Sequence, residues 1–177
     1  MNKMNRFAAR LLSALILTTV QSASSAQSPQ SESDFIPAHA RKSASDFTLI
    51  DVYGKQVTLS KYKGRVVLLD FWAVNCGGCK QEIPWYVDFE SHYGKSGLSL
   101  IGLDMYGETP DMVKAFMTHS KMTYPVAIGT DALGERYGLR EMPLTLLIDR
   151  KGRIAVAHAG VVDRDAFERE IQTLLAE

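Results

Sequence analysis

A chain of 177 residues with 46% hydrophobic and 23% charged residues has ordinary globular composition and enough apolar mass for one domain with its own core. Lysine plus arginine equal aspartate plus glutamate at 20 each, so no excess charge favours a nucleic acid, an anionic membrane or a polyanionic substrate. There are two cysteines, with no second Cys-x-x-Cys and no close pair among His39, His92, His119 and His158, which argues against a four-ligand zinc site.

At the start of the chain, Lys3, Arg6 and Arg10 precede an apolar run over residues 11–20 and a Ser24-Ser25-Ala26 triplet. This is the pattern of an export signal, read here as a signal peptide over 1–26 cleaved after Ala26. The apolar run is about half the roughly 20 residues that span a bilayer, so an uncleaved membrane anchor is the alternative rather than the reading adopted. The mature protein is expected to be soluble and periplasmic, or otherwise exported. The next stretch, "QSPQSESDFIPAHARKSAS", has no apolar period and reads as a flexible linker over 27–43, with the folded domain over 44–177.

Within that domain, "DFTLID" and "QVTLS" flank a Tyr53-Gly54-Lys55 turn and predict a small hairpin. "VVLLDFW" is apolar nearly throughout and predicts a buried central strand. A helix is expected over 77–96, interrupted by Pro84, then a strand at "LSLIGLD" and a helix opened by Thr109 with Pro110 in its first position. "YPVAI" predicts a short strand and "ALGERYG" a short helix closed by Gly138. "PLTLLID" and "IAVAHAG", joined by "RKGR", predict a second hairpin, and a last helix is expected over 163–175. Strands alternating with helices imply an α/β sandwich, part parallel and part antiparallel.

The chemistry concentrates in "VVLLDFWAVNCGGCKQEIP". A Cys76–Cys79 bond as a structural staple would close a loop of four residues and stabilise by only about 2 kcal/mol. A redox role fits better, because Cys76 falls at a helix N-terminus, where the dipole and unpaired amides favour its thiolate. A thiol of pKa near 8.5 is about 3% ionised at pH 7, whereas one near 7 is half ionised. Cys79, one turn further in, is placed to attack a mixed disulfide on Cys76. Asp70 closes an apolar run and, if buried there, should hold its proton to raised pH and exchange it. Tyr106 and Glu108 in "MYGETP" emerge at the same sheet edge and are candidate partner contacts. Glu82 reads as a helix-surface or salt-bridge residue and His158 as a structural one.

"DFWAVNCGGCKQEIP" resembles the active-site segment of thioredoxin-fold proteins through Asp70, Trp72, Cys76, Cys79, Lys80 and Pro84. "YPVAIGTDALGERYGLREMPLTLLIDRKGRI" is similar to the exported TlpA/ResA-like branch, with its extra strand and helix before an x-Pro and a Leu-Ile-Asp-Arg-x-Gly hairpin. The resemblance implies a thioredoxin-like fold: a central mixed β-sheet flanked by helices, with an N-terminal hairpin and a strand-helix insertion. It implies a thiol:disulfide oxidoreductase in which Cys76 attacks, Cys79 resolves and Asp70 moves the proton, needing no cofactor or metal beyond its own disulfide. It further implies that Pro143 is the family's cis-proline and exposes Met142 backbone groups to a partner strand; with these, Trp72, Asn75 and, from its place at the sheet edge, Tyr106 are the expected partner-binding residues.

Family members serve cytochrome c maturation, copper-site assembly and thiol protection, so a disulfide-bearing protein is the expected partner; a reductase in an oxidising compartment must itself be recharged, so a membrane electron donor is expected, and the protein is expected to be a monomer. Where thioredoxins commonly have Trp-Cys-Gly-Pro-Cys, this chain has "NCGGC", with Asn75 for the tryptophan and Gly78 for the proline. No imidazolium lies between the cysteines to stabilise a thiolate strongly, so Cys76 is expected to titrate between about 6 and 8 and the protein to act as a reductase. A peroxiredoxin-like peroxide reductase is one alternative, but its Pro-x-x-x-Thr/Ser-x-x-Cys is absent, Leu69 and Ala73 standing in the Pro and Thr places. A copper- or thiol-binding module is another.

Overall fold

The computed structural model describes residues 35–177; the signal peptide and the part of the linker over 27–34 lie outside the described residues. A hairpin of β1 (Thr48–Ile50) and β2 (Gln56–Thr58) comes first, followed by a single 3-10 turn over Leu59–Tyr62. Its loop is set by Asp51, whose Oδ1 accepts from the amides of Tyr53 at 2.9 Å and Lys55 at 2.7 Å, and by Gly54 at φ +84°.

The main sheet has five strands in the order β5 (Val126–Ile128), β4 (Leu98–Asp104), β3 (Val66–Trp72), β6 (Leu144–Ile148), β7 (Ile154–Ala159). Strands β3, β4 and β5 are parallel, while β6 runs antiparallel to both β3 and β7. Helices α1 (Gly77–Tyr93) and α2 (Pro110–Ser120) make the parallel crossovers; β5 and α3 (Asp131–Tyr137) form the insertion before β6, and α4 (Arg164–Ala176) ends the chain. This is the mixed sheet flanked by helices that the sequence implies.

All seven residues of β3 are buried, because both faces are covered. Alternation along the strand sends Val66, Leu68 and Trp72 into one core with Cys79, Ile83, Tyr86 and Phe89 of α1 and Phe167 of α4. Val67, Leu69 and Phe71 enter the other, against Phe47, Leu59 and Leu133. The even parity puts Asp70 on the face that α1 covers.

Two expectations need correction. Pro84 does not interrupt α1, which is continuous from Gly77 to Tyr93. The proline removes only the donor that would have gone to the Lys80 carbonyl, and burial of Ile83, Tyr86 and Phe89 around it holds the helix together. The linker expected to run to residue 43 is packed on the domain from Phe35 onward. The Ile36 amide donates to Ala155 O at 2.7 Å, the Ile154 amide to Lys42 O at 2.9 Å, and Ser43 bridges Arg153. Arg41 is buried, with Nη1 3.2 Å from Asp149 Oδ2 and 2.6 Å from Glu177 Oε2. Local composition concealed this, since the stabilising partners are the open edge of β7 and carboxylates more than a hundred residues away.

Arg41→Ala is therefore expected to lower stability by about 1.5–3 kcal/mol, the lower range for a buried charged pair because Asp149 keeps Arg153 at 2.6 Å. Urea unfolding checks it, alongside a chain starting at residue 44, which should unfold at lower urea than one starting at residue 35. Equal midpoints would show the segment to be energetically idle.

Candidate redox site

The two sulfurs lie at the N-terminus of α1, just past the carboxyl end of β3. Cys76 is the N-cap, its amide bound to Ala73 O at 3.1 Å, and its Sγ accepts from the Cys79 amide at 3.1 Å. Cys76 and Cys79 form a disulfide, with Cα atoms 5.3 Å apart. Cys76 is partly exposed and Cys79 is 1% exposed, so a partner reaches the first sulfur and not the second. A reduced Cys76 would keep the N-cap amide and the helix dipole, both of which favour its anion.

The neighbouring loops press onto this turn. The Met142–Pro143 bond is cis, and a side-chain Cβ at Gly78 would come within 3.1 Å of Pro143 Cδ and 2.8 Å of Val161 Cγ2. Gly78 is thus the residue that lets Pro143 and Val161 approach the first turn of α1 this closely. Sequence reasoning takes Gly78 only as a missing proline and does not single out Val161.

Two carboxyls, Asp70 and Glu82, are buried between β3 and the inward face of α1 that also carries Cys79. Asp70 is 1% exposed and neither Oδ has a hydrogen-bond partner; its cross-strand neighbour Thr145 is engaged with Tyr86 Oη at 2.9 Å. Burial pushes the Asp70 carboxyl well above the ordinary range, the charge of Glu82 adds to this, and the Thr145 hydroxyl opposes it. Glu82 is not on the helix surface, where its polarity alone would put it, but fully buried, with Oε1 accepting from the Val162 amide at 2.7 Å. Burial raises its pKa too, against the Val162 amide. The missed signal was spacing: Cys79, Glu82, Ile83 and Tyr86 follow a helical period that puts Glu82 on the buried face with Cys79.

The remaining candidates separate. Trp72 is fully buried and packs on Phe116 at 5.1 Å between ring centroids, so it supports the sheet edge and presents no surface to a partner. Asn75 is exposed, Met142 partly buried and Tyr106 66% exposed, all three in loops at this edge. His158 bonds Glu170 Oε2 at 2.8 Å. Beside Trp72 in the ladder, Asp104 is fully buried; its Oδ2 accepts from the Glu108 amide at 3.2 Å. Burial first, and then the Glu108 carboxyl beside it, push Asp104 up from 3.8 to about 8.

These shifts fix a sign. A carboxyl whose folded pKa is raised stays protonated in the fold while the unfolded chain ionises, so its contribution is present below about 4 and is lost as pH rises. Asp70→Asn is expected to fold and to be more stable than the parent above about pH 4, by a margin that widens with pH. Asp104→Asn should do the same, with the margin levelling off near the pH of about 8 to which Asp104 is raised. Thermal unfolding between pH 4 and 9 checks both; a margin that shrinks with pH contradicts the assigned burial cost.

Comparison with known proteins accords with this geometry. The AhpC/TSA family profile matches residues 40–157. A thiol-disulfide oxidoreductase ResA of Bacillus cereus is 32% identical over 135 residues, covering 75% of this chain and 77% of that one. ResA of Geobacillus kaustophilus is 30% identical over 132 residues, 74% of this chain and 75% of that one. A crystal structure described as a putative thiol:disulfide interchange protein DsbE, from Chlorobium tepidum, superposes with a TM-score of 0.71 at 33% identity, covering 76% of this chain and 96% of that one. An exposed lipoprotein thioredoxin of Streptococcus pneumoniae superposes at 0.64 with 28% identity, covering 73% of this chain and all of that one. With a partly exposed N-cap cysteine bonded to a buried one on a thioredoxin-type sheet, the chain belongs to the AhpC/TSA family and is a thiol-disulfide oxidoreductase of the ResA and DsbE type.

Proposed function

We propose that this protein is an exported reductase of disulfides in partner proteins. The observation that carries the reading is the asymmetry of the pair, a reachable Cys76 at a helix N-terminus above a Cys79 that is 1% exposed. In the reduced enzyme the Cys76 thiolate attacks one sulfur of the partner disulfide, forming a mixed disulfide and releasing the partner's other sulfur as thiolate. Cys79 then loses its proton and attacks Cys76 Sγ; the Cys76–Cys79 bond forms, the mixed disulfide breaks, and the partner leaves with both electrons.

Proton movement falls to Asp70 with Glu82. A buried carboxyl with a raised pKa lies closer in proton affinity to a buried thiol than a solvated carboxylate does, so the exchange is better matched. Met142, ahead of the cis-proline, offers its backbone to an extended partner segment, and Asn75 and Tyr106 border the same edge.

Export is supported by the basic and apolar leader in the sequence and by the pneumococcal relative described as an exposed lipoprotein. Among the described residues no helix is long and apolar enough to cross a membrane. We read the protein as a monomer whose redox group is its own disulfide, recharged by a membrane electron donor, with cytochrome c maturation among the processes such a reductase serves.

Cys76→Ser should abolish reduction of a protein disulfide, and Cys79→Ser should accumulate mixed disulfides visible as a mass increase. Equilibration with a dithiol buffer should give a potential below about −160 mV, nearer −210 mV. A higher potential overturns the reductase reading, and faster alkylation of Cys79 than of Cys76 near pH 7 overturns the assignment of Cys76 as the attacking thiol.

A further inference from the structure

Immediately beside Met142 a groove of about 380 Å³ runs away from the sulfurs toward α3. Its floor is apolar, made by Met105, Leu139 and Met142, and the exposed ring of Tyr106 forms a wall. The floor is closed by Gly134, where an added Cβ would lie 3.1 Å from both Leu139 Cδ2 and Met105 Cε. Its volume falls at the small end of sites that hold a defined ligand group, the scale of one or two long side chains.

The rim has the opposite character. Asp131, Glu135 and Glu141 supply three carboxylates against the single guanidinium of Arg140, and all four side chains are exposed. None of the four takes part in an ion pair among the described residues. An apolar trough under a rim of net negative charge matches a side chain with an aliphatic stem and a cationic head, which buries the one and keeps the other in water.

We propose that this groove is a specificity pocket for a lysine or arginine side chain carried by the partner protein within a few residues of its cystine. The inference rests on the reductase reading and adds which partner segments are taken. A segment that pairs as a strand with the Met142 backbone points alternate side chains the same way, so one of them falls into the groove. Glu135 and Glu141 then act as specificity residues, drawing in basic segments and repelling acidic ones.

The test uses the reduced full-length protein and disulfide-bridged peptides that differ at one position. Lysine, norleucine or glutamate is placed in turn at each of the three residues on either side of the reactive cystine, and kcat/KM is measured. The expected order is lysine, norleucine, glutamate, with lysine over glutamate by roughly three- to tenfold, carried by KM. The preference should appear at positions of one parity, shrink at high salt, and reverse in Glu135→Lys/Glu141→Lys. Equal kcat/KM for the lysine and glutamate peptides at every position overturns the pocket, as does an unchanged ratio in the double variant. Failure of the parent protein to reduce even a small aromatic disulfide would instead overturn the reductase reading, which keeps the two failures apart.

Discussion

Asp70 occupies the middle of a strand whose seven residues are all buried, and neither of its oxygens has a hydrogen-bond partner among the described residues. Isolated burial of a carboxylate costs several kcal/mol, which a fold meets by keeping the group protonated. Much of the architecture serves to sustain that arrangement. β3 is covered by α1 and α4 on one face and by the hairpin and α3 on the other, and it is paired by β4 and β6 along both edges. The dense core around the carboxyl is what raises its proton affinity, because the same group at the surface would be an ordinary anion.

The placement of the sulfurs follows from the same strand. β3 ends at Trp72, the chain turns over four residues, and α1 begins at Gly77, so the first turn of the helix stands over the carboxyl end of a parallel strand. Helical period then directs Cys79 and Glu82 inward together, while Cys76, as N-cap, stays half outside. The reactive edge is completed by loops from β4, β6 and β7, which bring Tyr106, Met142 and Val161 around the opening. Rigid elements hold the buried carboxyls and the inner sulfur, while loops carry the exposed residues around the opening, a division common in α/β enzymes.

At the opposite edge of the sheet, the segment over 35–43 lies along β7 and joins the two ends of the domain through Arg41, Asp149 and Glu177. A bare β7 would be an open edge at which other chains could pair. The chain's own segment over 36–43 covers the start of that edge, at Arg153, Ile154 and Ala155.

The order of strands and helices, the buried strand at "VVLLDFW" and the redox pair were legible because each depends on local pattern: a continuous apolar run, a cap followed by a periodic stretch, two cysteines one turn apart. What sequence alone missed was contact between distant segments. Glu82 reads as polar and is buried because Val162 supplies an amide eighty residues away. Trp72 matches a family surface motif and is enclosed by Phe116 of α2. Residues 35–43 lack an apolar period and are held by β7. The carboxyl pair of Asp104 and Glu108 meets only because the loop after β4 folds back on the strand end. The sequence by itself determined the elements and the sulfur chemistry, since these are set by neighbours along the chain. Which polar groups lose water and meet each other was decided by tertiary packing, because desolvation is a property of what covers a residue and not of its type.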